Sequence, residues 1–407
     1  MSAKEPILDE AETESFRRKA RTWLEQNAPA FEVPDASRQG NLDTQEEFDR
    51  YRAWNQAKAA AGWSGIHWPE HCGGRGLSRV HTVLYEQEES DFLVPRGSYL
   101  NVGWSFAAPT LMHYASEEVQ AKLLPRILTV EDFWCQLFSE PVAGSDLAGI
   151  RTRAERQGDE WVVNGQKVWT TYAQWAQWAI LVARHDFDEP KHKGLVYFFV
   201  DMRSPGVEVR GIRQISGAHH FNEVFLTNVR IPDSQRLGAV GEGWQVALTT
   251  LMNERLGSGF TEARPSWRDL LAFSQGNDDR ADAALRNVIA DAYVQSRGVE
   301  LIRERNISRL LQGQQPGPEA SVAKVVSSSL RQDLAIYGLD LLEQSQGGDL
   351  GDQFRRGFFD APGNRIAGGT DEIVRNILAE RVLGLPGDVR VDRDLPFREL
   401  TAREGRG

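Results

Sequence analysis

The period of hydrophobicity changes twice along this chain, and that double change limits the possible folds more than any other feature. From about residue 11 to 132 apolar side chains recur at helical spacing: Phe16, Ala20, Trp23 and Leu24, then Phe48, Tyr51, Trp54 and Ala59 behind the capping pair Asp43-Thr44. After the break at Gly73-Gly74-Arg75-Gly76 a further helix is expected over 80–92, and Ser116-Glu117-Glu118 opens another, with a capping hydroxyl and acids in the first turn. Near residue 133 the period drops to that of strands. The runs 133–138, 160–163, 178–182, 195–200, 207–209 and 224–226 are short and separated by Gly, Pro, Asn and Asp. Asn164-Gly165 reads as a hairpin turn. After Gly241-Glu242-Gly243 the helical period returns over 243–273, 281–313, 318–344 and 371–383, and a charged tail, read as an arm or a partly disordered segment, closes the chain. The expected fold is α+β and multidomain: an N-terminal helical domain (1–132), a middle β-barrel or sandwich domain (133–240), a C-terminal helical bundle (241–385) and a tail (386–407).

Composition removes several function classes. Lys+Arg 47 against Asp+Glu 58 gives a net charge of −11 with no basic block, so nucleic acid is not an expected partner. Two cysteines, Cys72 and Cys135, cannot build a disulfide framework and lack metal-ligand spacing, so no metal is expected. His219-His220 has no second ligand pair and reads as loop. The longest apolar runs, such as 195–200, are about six residues, whereas a membrane helix needs about twenty. With no apolar core in the first ten residues, a cytoplasmic protein is expected.

Two separated motifs carry chemistry. The first comprises Phe138-Ser139-Glu140-Pro141-Val142-Ala143-Gly144-Ser145-Asp146 and Asn164-Gly165-Gln166-Lys167-Val168-Trp169-Thr170-Thr171. The second, about 225 residues on, is Gly368-Gly369-Thr370 with Ile373, Arg375 and Asn376, then Glu380 to Pro386. Taken singly, Gly144-Ser145-Asp146 reads as a turn and Trp169-Thr170-Thr171 as strand core. Together, at this separation and between helical flanks, they resemble the middle-domain and C-terminal signatures of the acyl-CoA dehydrogenases. Val142 departs from that pattern, which usually has Gly there.

The resemblance implies a reaction. A carboxylate takes the α-proton of an acyl-CoA thioester, and FAD accepts a hydride from the β-carbon, leaving the 2,3-enoyl-CoA. The α-proton is too weakly acidic for a carboxylate in water, so the site must polarise the thioester carbonyl and exclude solvent. The resemblance gives Phe138 and Ser139 to the flavin pyrimidine edge, Ser145 to FAD phosphate or the thioester arm, Trp169 to the isoalloxazine and Thr171 to the N5 region. It gives Gln344, Gly348, Thr370 and Glu372 to the adenosine end of a neighbouring subunit's FAD.

Many members of the family carry the base at the position of Gly368, which here supplies only a backbone N–H. Others carry it on the first long helix of the C-terminal domain. Glu254, in Leu251-Met252-Asn253-Glu254-Arg255, holds that position and is the expected base, with Arg255 beside it on the substrate side. Neighbouring helix residues point about 100° apart, so Arg255 need not neutralise it. This placement resembles the isovaleryl- and long-chain-type dehydrogenases, and a subgroup acting on bulky acyl-CoAs that include steroid side chains. An arginine motif that grips FAD across subunits is missing from 270–276. The implied partners are an acyl-CoA substrate, an electron-transferring flavoprotein and further subunits in a homo- or hetero-oligomeric dimer or tetramer. The alternatives are an FAD-poor structural subunit of a mixed assembly, and an acyl-CoA oxidase or flavin monooxygenase of the same fold.

Overall fold

The computed structural model describes residues 9–33, 42–95, 102–257, 265–275, 283–312, 314, 317–342, 348–387, 389–390 and 392–404. The N-terminal helices are α1 (Glu10–Asn27), α2 (Gln45–Ala60), α3 (Arg79–Glu89), α4 (Ala108–Tyr114) and α5 (Glu117–Leu128). Asp9 and Thr44 close capping boxes with Glu12 and Glu47; Thr44 belongs to the capping pair read in the sequence, whereas the Asp9 cap went unread. A π-helical turn, Val102–Ala107, precedes α4 and went unread in the sequence. Such turns widen the helix locally and are common at functional sites.

The middle region is an eight-stranded mixed sheet: β1 (Trp134–Leu137), β2 (Arg153–Gln157), β3 (Glu160–Thr171), β4 (Trp178–Arg184), β5 (Leu195–Asp201), β6 (Val207–Ile212), β7 (Phe221–Pro232) and β8 (Arg236–Leu237). Its order is β6-β7-β3-β2-β4-β5-β8, with β1 beside β4. β2 and β4 meet at a single register pair, Arg153 with Arg184, so the sheet has two halves. Ala154, Trp161, Val163, Val224 and Ile231 from one half bury against Leu137, Leu181, Val196 and Phe198 from the other. The opposite face of β4 and β5 (Ile180, Val182, Tyr197, Phe199) packs on Leu111, Leu124, Ile127, Val246 and Ala247 of the helices. Both faces are therefore covered, as the unbroken apolar run 195–200 requires.

Asn164-Gly165 is not a hairpin turn. β3 runs through it, and the β2–β3 turn is instead at Gly158, whose φ is +63°. A Cβ on Gly165 would lie 2.7 Å from Thr152 Cβ and 2.8 Å from its Cα, so the glycine serves a close backbone approach. Asn164 locks a bulge instead, accepting from the Asn228 backbone N–H at 2.8 Å.

The C-terminal helices are α6 (Gly243–Gly257), α7 (Trp267–Gln275), α8 (Ala283–Leu311), α9 (Val322–Leu342), α10 (Gly348–Ile366) and α11 (Asp371–Arg381). The helix expected over 243–273 is two helices. α7 starts afresh after Pro265, with Asp269 accepting from the Ser266 backbone N–H at 2.7 Å. α10, which contains Pro362, is a helix that the sequence reading does not include. Gly357 is needed there, since a Cβ would come 3.0 Å from Pro265 Cγ. The tail is no free arm: it ends in α12 (Phe397–Glu404), and Phe397 is buried against the β4–β5 loop. Among the described residues no helix is long and apolar enough to cross a membrane.

Candidate functional site

The two halves of the first motif are brought together by Lys167. It is buried in β3, where a cation must be paired or pay heavily for lost hydration. Its Nζ donates to the Phe138 carbonyl at 3.0 Å, Glu140 Oε1 at 2.8 Å and the Val182 carbonyl at 2.9 Å. Three acceptors satisfy three N–H bonds, so the ammonium form is complete. Glu140 in turn accepts from the backbone N–H groups of Arg151 at 2.6 Å and Thr152 at 2.9 Å. Burial alone would raise the Glu140 carboxyl, but the charge and hydrogen bonds of Lys167 and these donors outweigh it and hold it below its ordinary value. The Val168 N–H also donates to the Ser139 carbonyl at 3.0 Å. Phe138 and Ser139 are thus pinned beside Val168 and Trp169. Glu140 and Lys167 were only letters of the motif in the sequence; the usable signal was a lysine in an otherwise strand-forming run.

Trp169 departs from ordinary strand geometry. Its φ is +60°, which few bulky residues adopt, and it sits at the register shift between Lys167 and Thr170. The ring is 57% exposed, touching Phe221 edge-on at 5.8 Å. Next to it the Thr170 hydroxyl is buried with no hydrogen-bond partner among the described residues, and Thr171 is half-buried. An aromatic face held out of the core, in the strand that carries Thr171 and bonds the Ser139 backbone, fits a planar ring system with polar edges such as FAD.

Val142 (63% exposed), Gly144 and Ser145 form an outward turn, and a Cβ on Gly144 would meet nothing within 4 Å. The Val142 side chain therefore does not crowd the fold. Asp146 is held by Lys191 Nζ at 3.1 Å.

The second motif caps α11. Gly368 (φ +65°) and Gly369 (φ +95°) make the left-handed turn from α10, a conformation that favours glycine. The Thr370 hydroxyl accepts from the Ile373 N–H at 3.2 Å, and Glu372 is held low by hydrogen bonds from its own backbone and from Thr370. Helix capping thus accounts for both side chains as they stand. Buried Asp371 ties the turn to its neighbours, accepting from Lys324 at 2.8 Å, Ser328 at 3.0 Å and Arg365 at 2.7 Å.

Position 254 lies in α6 one turn beyond Thr250, on the same side of the helix. The Thr250 hydroxyl is buried against those of Thr110 and Tyr197, each at 2.9 Å, which joins α6 to α4 and β5. The side chains of Glu254 and Arg255, and all of Gln344, lie outside the described residues; Gly348 begins α10. Glu242 is in a turn, its carboxylate accepting from the Ala239 N–H at 2.8 Å. His220 is partly buried and Cys135 fully so, and burial pushes its thiol up. No cluster of metal-ligating side chains occurs among the described residues.

Three domain families match in order: acyl-CoA dehydrogenase N-terminal domain at residues 10–131, middle domain at 135–229 and C-terminal domain at 241–383. The acyl-CoA dehydrogenase IpdE1 of Mycolicibacterium smegmatis is 37% identical over 93% of this chain and 99% of its own length. FadE34 of Mycobacterium tuberculosis is 41% identical over 81% of this chain, which spans only 46% of that longer protein. Among solved structures, the Tcur3481-Tcur3483 steroid ACAD aligns with a TM-score of 0.78 and 27% identity, over 94% of this chain and all of its own. The helix–sheet–helix fold, the three domain matches and the full-length relative together place this chain in the acyl-CoA dehydrogenase family of flavin-dependent oxidoreductases acting on acyl-CoA.

Proposed function

We propose that this chain dehydrogenates an acyl-CoA across its α and β carbons, with FAD beside Trp169 and with Glu254 as the base. The observation that carries the reading is the pinned pair of segments. Lys167 fixes Phe138 and Ser139 against the strand that presents Trp169 and Thr171, which would set hydrogen-bond donors along one edge of a ring and an aromatic wall beside it. FAD, when bound, supplies the two-electron acceptor for the β-carbon hydride. The chain's own work is to bind, orient and move one proton. Ser139 and the backbone around it donate to the flavin edge where negative charge collects. Ser145 faces a phosphate or the thioester arm. Gly368 offers only its backbone N–H, which suits polarising the thioester carbonyl and leaves room for a base from elsewhere. Glu254 supplies that base from the α6 face anchored by Thr250, with Arg255 toward the substrate. Substrate burial raises a carboxyl toward working pH and strengthens it for proton abstraction. Gln344, Gly348, Thr370 and Glu372 would serve the adenosine end of a neighbour's FAD, and electrons would leave through an electron-transferring flavoprotein.

The likeness to a steroid ACAD named for two components supports a bulky, ring-bearing acyl group and a mixed assembly. The missing arginine in 270–276 removes one grip on a neighbouring subunit's FAD and favours the structural-subunit alternative. The test is the visible spectrum of the chain purified alone and with added FAD, before and after anaerobic addition of an acyl-CoA panel that includes steroid thioesters. A flavin spectrum that bleaches with one thioester supports the reading. A protein that stays colourless with added FAD favours the structural-subunit alternative, and fast reoxidation by oxygen favours the oxidase.

A further inference from the structure

The C-terminal segment lies beyond the residues matched by the family's C-terminal domain, yet it is built into the middle domain. Pro396 pairs with Pro190, the Phe397 N–H donates to the Glu189 carbonyl at 3.1 Å, and the Arg398 N–H donates to the Phe187 carbonyl at 2.9 Å. Phe397 is 3% exposed and its ring centre lies 3.6 Å from the Arg184 guanidinium carbon. Arg184 is buried with no carboxylate bonded to it among the described residues. It donates to the carbonyls of Ala148 at 2.6 Å, Ile150 at 3.0 Å and Lys191 at 3.0 Å, and its Nη1 has no hydrogen-bond partner there. Phe397 lays an aromatic face over this buried cation, which also feels the charges of Glu140, Asp146 and Asp186. Lys191, through its ammonium, joins Asp146 at 3.1 Å to Asp392 at 2.7 Å.

From this geometry we propose that residues 392–404 act as a strap that positions the 144–150 loop of the candidate site through Arg184 and Lys191. Both ends of the loop are held this way: Asp146 by Lys191, and the Ala148 and Ile150 carbonyls by Arg184. The only covalent route from strap to loop runs through the whole C-terminal bundle, so these contacts are the coupling. That the strap also governs acyl-CoA or FAD affinity rests on the proposed role of Ser145.

The experiment uses the full chain and its Asp392→Asn, Asp392→Glu and Phe397→Ala variants. Hydrogen exchange is followed in peptides covering 144–151 and, as an internal control, 160–171, beside KM and kcat for the acyl-CoA that bleaches the flavin. Asp392→Asn should speed exchange in 144–151 by about fivefold, the size expected for a partly exposed ion pair, and leave 160–171 unchanged. Phe397→Ala should speed it more, and Asp392→Glu should restore it. KM should rise with kcat kept, because the loop positions and Glu254 reacts. Faster exchange with unchanged KM upholds the strap and removes Ser145 from ligand contact. Unchanged exchange in 144–151 in both disrupting variants overturns the strap, whatever happens to turnover. If Phe397→Ala fails to fold, Asp392→Asn decides alone.

Discussion

Replacing Lys167 by methionine keeps most of the side-chain volume and deletes the charge at the centre of the pinned site. The Phe138 and Val182 carbonyls lose a donor, and Glu140, 4% exposed, is left as a buried carboxylate with only two backbone N–H bonds. Breaking a buried pair from one side costs about 3–5 kcal/mol. Protection factors of the β3 amides, measured by hydrogen exchange, should therefore fall by about 150- to 5,000-fold unless global unfolding intervenes first. The pH dependence fixes the cause. In the wild type Glu140 is held below its unfolded value, so its contribution is present above the ordinary carboxylate range and is lost as pH falls through the folded value. In Lys167→Met burial dominates, the carboxyl rises above its unfolded value, and the penalty must shrink as pH falls and Glu140 takes up a proton. Glu140→Gln added to Lys167→Met should recover part of the loss, since no unpaired charge remains. A loss under about 1 kcal/mol, or one that is flat between pH 5 and 8, would refute the reasoning.

Three further outcomes follow from geometry. Gly165→Ala should cost about 1–3 kcal/mol because its Cβ meets the Thr152 backbone, while Gly144→Ala should leave the thermal midpoint unchanged. Thr250→Val keeps the shape but strips the partner shared by Thr110 and Tyr197; a loss of about 1–2 kcal/mol, seen as faster exchange in α6, is expected. Asp371 is raised by burial but lowered more by Lys324, Arg365 and Ser328, so its net shift is downward. Its stabilisation of the 368–370 turn is therefore complete above the ordinary carboxylate range and lost as pH falls through its folded value. Asp371→Asn should cost about 2 kcal/mol at pH 7 and abolish that acid-side loss in a urea titration.

What the sequence disclosed followed the range of the interactions behind it. Helices with caps and one apolar face, such as α1, α2 and α11, were legible because their cause is local. So were the strands of β4 and β5, whose apolar runs reflect two covered faces. Asn164-Gly165 misled because glycine serves both a hairpin turn and a close approach, and only Thr152, from another strand, decides between them. α10 went unread; Pro362 and Gly357 break helices alone but are tolerated where a neighbouring helix packs closely. The docking of Phe397 on Arg184 joins residues about two hundred positions apart, and no periodicity announces it. Within the candidate site the motif letters marked Ser139 and Trp169. The strained backbone at Trp169 and the Lys167 clamp are tertiary facts that became visible only in three dimensions.

The central claim is that Glu254 removes the α-proton while the flavin site stays intact without it. The most direct measurement is rapid anaerobic mixing of the acyl-CoA substrate with wild-type chain and with Glu254→Gln, following flavin absorbance. The account predicts equal flavin content and a bleaching rate at least about 100-fold slower in the variant, the loss typical of removing a general base. Bleaching at the wild-type rate in Glu254→Gln would contradict it.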